Sequence, residues 1–151
     1  MIGIQRLAPF AFSTLGAMGF TGKIVSLVIH NNQITTIEAN AFEGLSNLTD
    51  LDLTSNMITH IQANAFTGLS DLRVLNLSTN MITTIEANAF QRGLTSLLQL
   101  DLSRQTQQIT TLEANIFKGL NSLLVLHLET NNFAIIEANA FAGLNLSLIH
   151  I

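Results

Sequence analysis

The chain has 151 residues, 48% of them apolar, and a formal net charge of −4. That apolar share is too high for a disordered chain and enough to build the core of one domain. The absence of cysteine excludes disulfides, thiolate metal sites and cysteine nucleophiles; six Lys and Arg without a cluster argue against a nucleic-acid footprint, and no apolar run reaches the roughly 18 to 20 residues of a membrane helix.

Usage is also narrow: 25 Leu, 16 Ile and nine Phe stand beside no Trp and no Tyr, which points to one structural solution used repeatedly. Residues 1–23 admit two readings. Arg6 followed by Leu7-Ala8-Pro9-Phe10-Ala11-Phe12 loosely suits a signal peptide. The other reading is a degenerate half repeat, because Ile4-x-x-Leu7-x-x-x-x-Phe12-x-x-Leu15 returns downstream at the same spacing, with Gly16 to Lys23 as an insertion.

From Ile24 onward the chain repeats itself. Ile37-Glu38-Ala39-Asn40-Ala41-Phe42 returns from Ile61, Ile85, Leu112 and Ile136, placing Phe42, Phe66, Phe90, Phe117 and Phe141 at spacings of 24, 24, 27 and 24. Upstream of each lies a second pattern, clearest as Leu48-x-x-Leu51-x-Leu53-x-x-Asn56-x-Ile58. The joined pattern, L-x-x-L-x-L-x-x-N-x-I-x-x-I-x-x-x-x-F-x-x-L, resembles the leucine-rich repeat in its 24-residue class. Five units begin at Ile24, Leu48, Leu72, Leu97 and Leu123 and fill 24–145. The resemblance implies an α/β-type repeat solenoid, a horseshoe with a parallel concave β-sheet and an irregular or 3₁₀ convex side.

Each position has a physical reason. Alternate side chains of a strand point to opposite faces, so Leu51 and Leu53 go inward while Asp52 faces the concave surface. Stacked units form a parallel sheet with about 4.8 Å per rung. Asn32, Asn56, Asn80 and Asn131 follow the strand as a ladder, where an amide both donates to and accepts from backbone groups of neighbouring turns. The five Phe stack as a spine; Trp is too large for that slot, and Tyr would bury an unpaired hydroxyl.

Two units depart from the pattern. The third carries one extra residue at Gln91-Arg92-Gly93-Leu94, and the fourth is two residues longer. Ser103-Arg104-Gln105-Thr106-Gln107-Gln108 lacks the asparagine, so Gln105 or Gln107 must replace it, with a bulge and a locally weakened ladder expected. The insertion reads either as tolerated length variation or as a protrusion near the ligand face.

The tail, 146–151, matches the translation of one frame of a common sequencing-adapter end, so a non-native tail is expected; the alternative is a sixth repeat started by Leu148-x-x-Ile151. Extracellular members of the resembled family commonly carry cysteine-rich caps. With none here and terminal repeats needing polar caps, the stretch reads as a fragment of a longer solenoid, whose open ends continue into further repeats or caps.

The resemblance puts ligand contacts on the concave face, at Asp50, Asp52, Arg73, Asn76, Gln99, Asp101, Arg104, His127 and Glu129. The face is polar and small, with a weak acidic centre at Asp50, Asp52 and Asp101. Only Arg73 and Arg104 are hot-spot residue types. Asp101 and His127 occupy equivalent positions on adjacent strands near Ser103, but no nucleophile turn or oxyanion donors accompany them, so a solvated pair is expected and no catalytic residue is assigned. His30, His60, His127 and His150 lack metal-ligand spacing, and no metal or cofactor is implied. The column Glu38, Gln62, Glu86, Glu113, Glu137 reads as the solvated flank of the turn. Asn47 and Asn76 sit in glycosylation triplets, as does Asn145 if the tail is native; a glycan on mid-concave Asn76 would obstruct ligand binding, so Asn47 at a repeat junction is the favoured site. The expected function is a non-catalytic module binding a protein ligand in an extracellular or cell-surface receptor or adhesion protein, with no nucleic acid and no membrane insertion. The alternatives are a cytoplasmic scaffold or inhibitor, or the recognition arm of a larger enzyme.

Overall fold

The computed structural model describes residues 4–14, 18, 24–107, 109–144 and 148–151. Leu15, Gly16, most of the proposed insertion before Lys23, Gln108, and Asn145 to Ser147 lie outside them. Twelve short strands among the described residues, β1 to β12 in chain order, alternate between two parallel ladders. The concave ladder comprises β2 (Ser26–Val28), β4 (Asp50–Asp52), β6 (Val74–Asn76), β8 (Gln99–Asp101), β10 (Val125–His127) and β12 (Leu148–His150). These pair successively and in register, so Leu27, Leu51, Leu75, Leu100, Leu126 and Ile149 form one inward row. Leu51, Leu75, Leu100 and Leu126 are buried, while their strand neighbours stay half-buried or exposed, as alternation requires.

The register corrects the proposed start of a sixth repeat. Leu148 lies opposite Val125 and Ile149 opposite Leu126, so the tail reads Leu146-x-x-Ile149-x-Ile151, two residues earlier than a start at Leu148.

A second ladder runs along the flank, where the sequence suggested only irregular structure. β1 (Arg6–Leu7), β3 (Thr36–Ile37), β5 (His60–Ile61) and β7 (Thr84–Ile85) form a four-stranded sheet; β9 (Thr111–Leu112) and β11 (Ile135–Ile136) form a separate pair. The two-residue strands arise where the second conserved isoleucine of a unit, or Leu112 in the fourth, turns into the core; at the last strand Ile136 stays exposed. The convex side consists of consecutive turns closed by i→i+3 bonds such as Leu45 N to Phe42 O and Glu43 N to Asn40 O, and no helix occurs in the described part of 24–144. Asn40, Asn64, Asn88, Asn115 and Asn139 adopt left-handed backbone, with φ of 57° to 66°. Asparagine tolerates this conformation better than most residues.

The core is one continuous cluster of Leu, Ile, Phe and Ala. Phe12, Phe42, Phe66, Phe90, Phe117 and Phe141 stack in sequence, ring centroids 5.7 to 6.3 Å apart. Phe42, Phe66, Phe90 and Phe117 are fully buried. Every unit turns at a glycine with φ of 93° to 99°, and the third keeps this turn at Gly93 despite its extra residue; an added Cβ there would collide with the carbonyl of Phe66.

Candidate recognition face

The asparagine ladder fixes the end of each concave strand. Asn56 accepts from the Ile34 N–H and donates to the carbonyls of Ile29 and Leu53; Asn80 does the same with Ile58, Leu53 and Leu77. Asn32 donates to Ile29 and His30. In the fourth unit the substitute is Gln105, not Gln107: it accepts from Ile82 N–H and donates to the carbonyls of Leu77, Leu102 and Ser103. The ladder therefore survives at Gln105. It weakens one rung later, where Asn131 donates to Leu102 and Leu128 but its buried Oδ1 has no partner.

On the concave strands, polar side chains hold the exit turns. Asp52 Oδ1 accepts from Thr54 N–H, Asp101 Oδ1 from Ser103 N–H, and Asn76 Oδ1 from both the backbone and the hydroxyl of Ser78. In both aspartates it is Oδ1 alone that holds the turn. Asp50 is exposed and accepts from Thr49 Oγ1; Gln99 is half-buried; Arg73 and Arg104 are exposed. His127 Nδ1 lies 3.1 Å from Glu129 Oε1, and its ring stacks on that of His150 with centroids 5.0 Å apart. Burial pushes the Glu129 carboxyl up, but its own N–H, His127 and His150 together outweigh burial and hold it below the usual carboxylate value. Asp101 thus bonds the Ser103 backbone and His127 lies against Glu129, and among the described residues no hydrogen bond joins Asp101, His127 and the Ser103 hydroxyl into a triad arrangement. Among the described residues, no group of three or more His, Asp or Glu gathers in a metal-binding arrangement.

Two features escaped the sequence reading. The glutamate column is not simply a solvated flank. Gln62, Glu86 and Glu137 accept from the backbone N–H groups of Ala39, Ala63 and Ala114 in the preceding unit, and Glu38 pairs with Arg6. The signal was a long acceptor recurring one residue after the flank isoleucine. Beside Arg73, in the same strand position, Val25, Leu98 and Leu124 stand exposed. The doublets Leu97-Leu98 and Leu123-Leu124 marked them, since only one member of each can enter the core. Asn47 is exposed, whereas Asn76 is half-buried and engaged with Ser78.

A family model described as Leucine rich repeat matches residues 22–80, 46–107 and 105–151. No curated protein sequence matches the chain. Among solved structures, the TLR13–ssRNA13 complex is 27% identical with a TM-score of 0.67, over 97% of this chain. An internalin (inlF) from Listeria monocytogenes str. 4b F2365 is 28% identical with a TM-score of 0.62, over 88% of this chain. The chain spans 23% and 36% of those two proteins, respectively. The exclusion of nucleic acid drawn from charge is not supported by these neighbours, one of which is a complex with single-stranded RNA. Among the described residues, no helix is long and apolar enough to cross a membrane.

Proposed function

We propose, from the premise that the chain belongs to the leucine-rich repeat family, that it is a non-catalytic recognition module whose concave strand face binds a protein ligand. The observation carrying this reading is the six-stranded in-register sheet, which presents Asp52, Asn76, Asp101 and His127 as one outward column. Its polar atoms are pre-set by the exit-turn bonds, which lowers the ordering cost of binding. The exposed Leu98 and Leu124 beside Arg73 add the apolar contact that the polar column lacks. Aspartates on the face favour a ligand with basic groups over a polyphosphate backbone.

By family resemblance, the setting is an extracellular or cell-surface receptor or adhesion protein, and Asn47 is the glycan site, on its exposure. Residues 1–23 and 24–145 serve as half repeat and five-unit array, and 146–151 as a tail. The test is a binding screen of the chain against purified ectodomains and single-stranded RNA. Asp52→Ala, Arg73→Ala and Asp101→Ala are compared with convex Glu43→Ala. A protein ligand should lose about tenfold in affinity with R73A, a smaller but measurable factor with each aspartate change, and nothing with E43A. Binding untouched by the concave changes, or binding of RNA alone, would sink the reading.

A further inference from the structure

The flank ladder is interrupted once among the described residues, between β7 and β9. Elsewhere each later strand donates to the one before: Thr84 N–H to Thr59 O, Glu86 N–H to Ile61 O, Glu137 N–H to Leu112 O. By the same register, Thr111 and Glu113 should donate to Thr83 and Ile85, yet no backbone bond joins the two strands. The cause is length. Asn80 and Ile82 are two residues apart, but Gln105 and Ile109 are four apart, which carries β9 away from its neighbour. All Cα atoms of β7 and β9 lie more than 8 Å apart. Adjacent strands stand about 4.8 Å apart and next-nearest strands about 9.6 Å.

The opening is a wedge. The concave sheet is closed between β6 and β8. The Phe spine persists there but is at its widest, 6.3 Å and 18° between Phe90 and Phe117 against at most 5.9 Å and 12° elsewhere. The resulting cavity of about 220 Å³ has Ile85, Ile109, Leu112 and Ile116 as its apolar lining, threonines on both walls and Glu113 exposed beside it.

We propose that this slot is a strand-acceptor site that takes one extended peptide segment of a partner protein, running parallel to β7 and β9 as the missing rung. A peptide backbone offers N–H groups toward the Thr83 and Ile85 carbonyls and carbonyls toward the Thr111 and Glu113 N–H groups, the two unmet edges the slot presents. At about 3.3 Å per residue, strands of this length engage two or three residues. The isoleucine lining selects a small β-branched side chain, and Glu113 in a chain of net charge −4 selects a flanking lysine.

The probe is acetyl-Lys-Val-Thr-Val-Lys-amide, titrated into the isotope-labelled 151-residue chain and followed by backbone amide shifts. Saturable shifts at Thr84, Thr111 and Glu113, with at least a tenfold loss of affinity when the peptide's central amide is N-methylated, are expected. Deleting Gln107 and Gln108 restores the regular spacing; the deletion chain should keep its circular dichroism and lose the peptide. If that deletion misfolds, Thr111→Pro removes one slot N–H at a strand terminus and should weaken binding at least fivefold. No saturable shift at millimolar peptide, shifts confined to the concave face or β11, or equal binding of the N-methylated peptide would each overturn the proposal.

Discussion

Phe10 occupies the turn position that Asn fills in every later unit, and it is held at φ 57° with its ring half exposed. Left-handed backbone costs an ordinary L-residue about 1 to 2 kcal/mol, and the exposed ring recovers little of that. Phe10→Asn should therefore stabilise the chain by about 0.5 to 1 kcal/mol, read as a rise in Tm; an unchanged or lower Tm contradicts this assignment of strain. Glu86 carries a pH effect. The Ala63 N–H, and then His60, hold its carboxyl below its ordinary value of 4.5 despite some burial. A lowered native pKa stabilises the fold above that ordinary value, and the contribution disappears as pH falls past 4.5 toward the native value. Glu86→Gln keeps an acceptor for Ala63, as Gln62 does for Ala39. Its Tm should fall less steeply than the parent's in acid melts below pH 4.5, and parallel curves would disprove the link.

At the scale of the element, two columns set the stability of a unit. Phe66 is fully buried between two rings, so Phe66→Ala should cost about 3 to 5 kcal/mol in urea unfolding. Phe141→Ala, at a half-buried ring, should cost visibly less. Gln105→Ala leaves the buried Ile82 N–H unmet and takes one of two donors from each of the Leu77, Leu102 and Ser103 carbonyls, which keep Asn80, Asn131 and the Thr79 N–H; it should cost about 1 to 3 kcal/mol, while exposed Gln107→Ala should cost under about 0.5 kcal/mol. Equal costs would undo the assignment of the ladder to Gln105. Sequence alone could not choose between these glutamines, because reach depends on where the insertion buckles. It did expose the Phe spine and the asparagine column, since both obey one fixed period. The flank sheet stayed hidden because a two-residue strand is too short to show alternation. The concave columns were legible from the alternation around Leu51 and Leu53, but their exit-turn bonds required coordinates.

Across the whole molecule, the slot between β7 and β9 divides one flank ladder while the core runs through unbroken. Hydrogen exchange should show this division. The Glu86 and Glu137 amides, both bonded to the preceding strand, should exchange at least tenfold more slowly than that of Glu113. Comparable protection at all three would mean the ladder closes in solution. The bridges between units also have a direction in time. Ile34 N–H waits for Asn56, Ala39 N–H for Gln62, and Ile82 N–H for Gln105, each partner arriving 22 or 23 residues later in the chain. On a ribosome adding about 5 to 20 residues per second, each unit emerges with these groups unmet and remains so for about one to five seconds. Translation speed thus sets how long every newly made turn stays open to wrong partners.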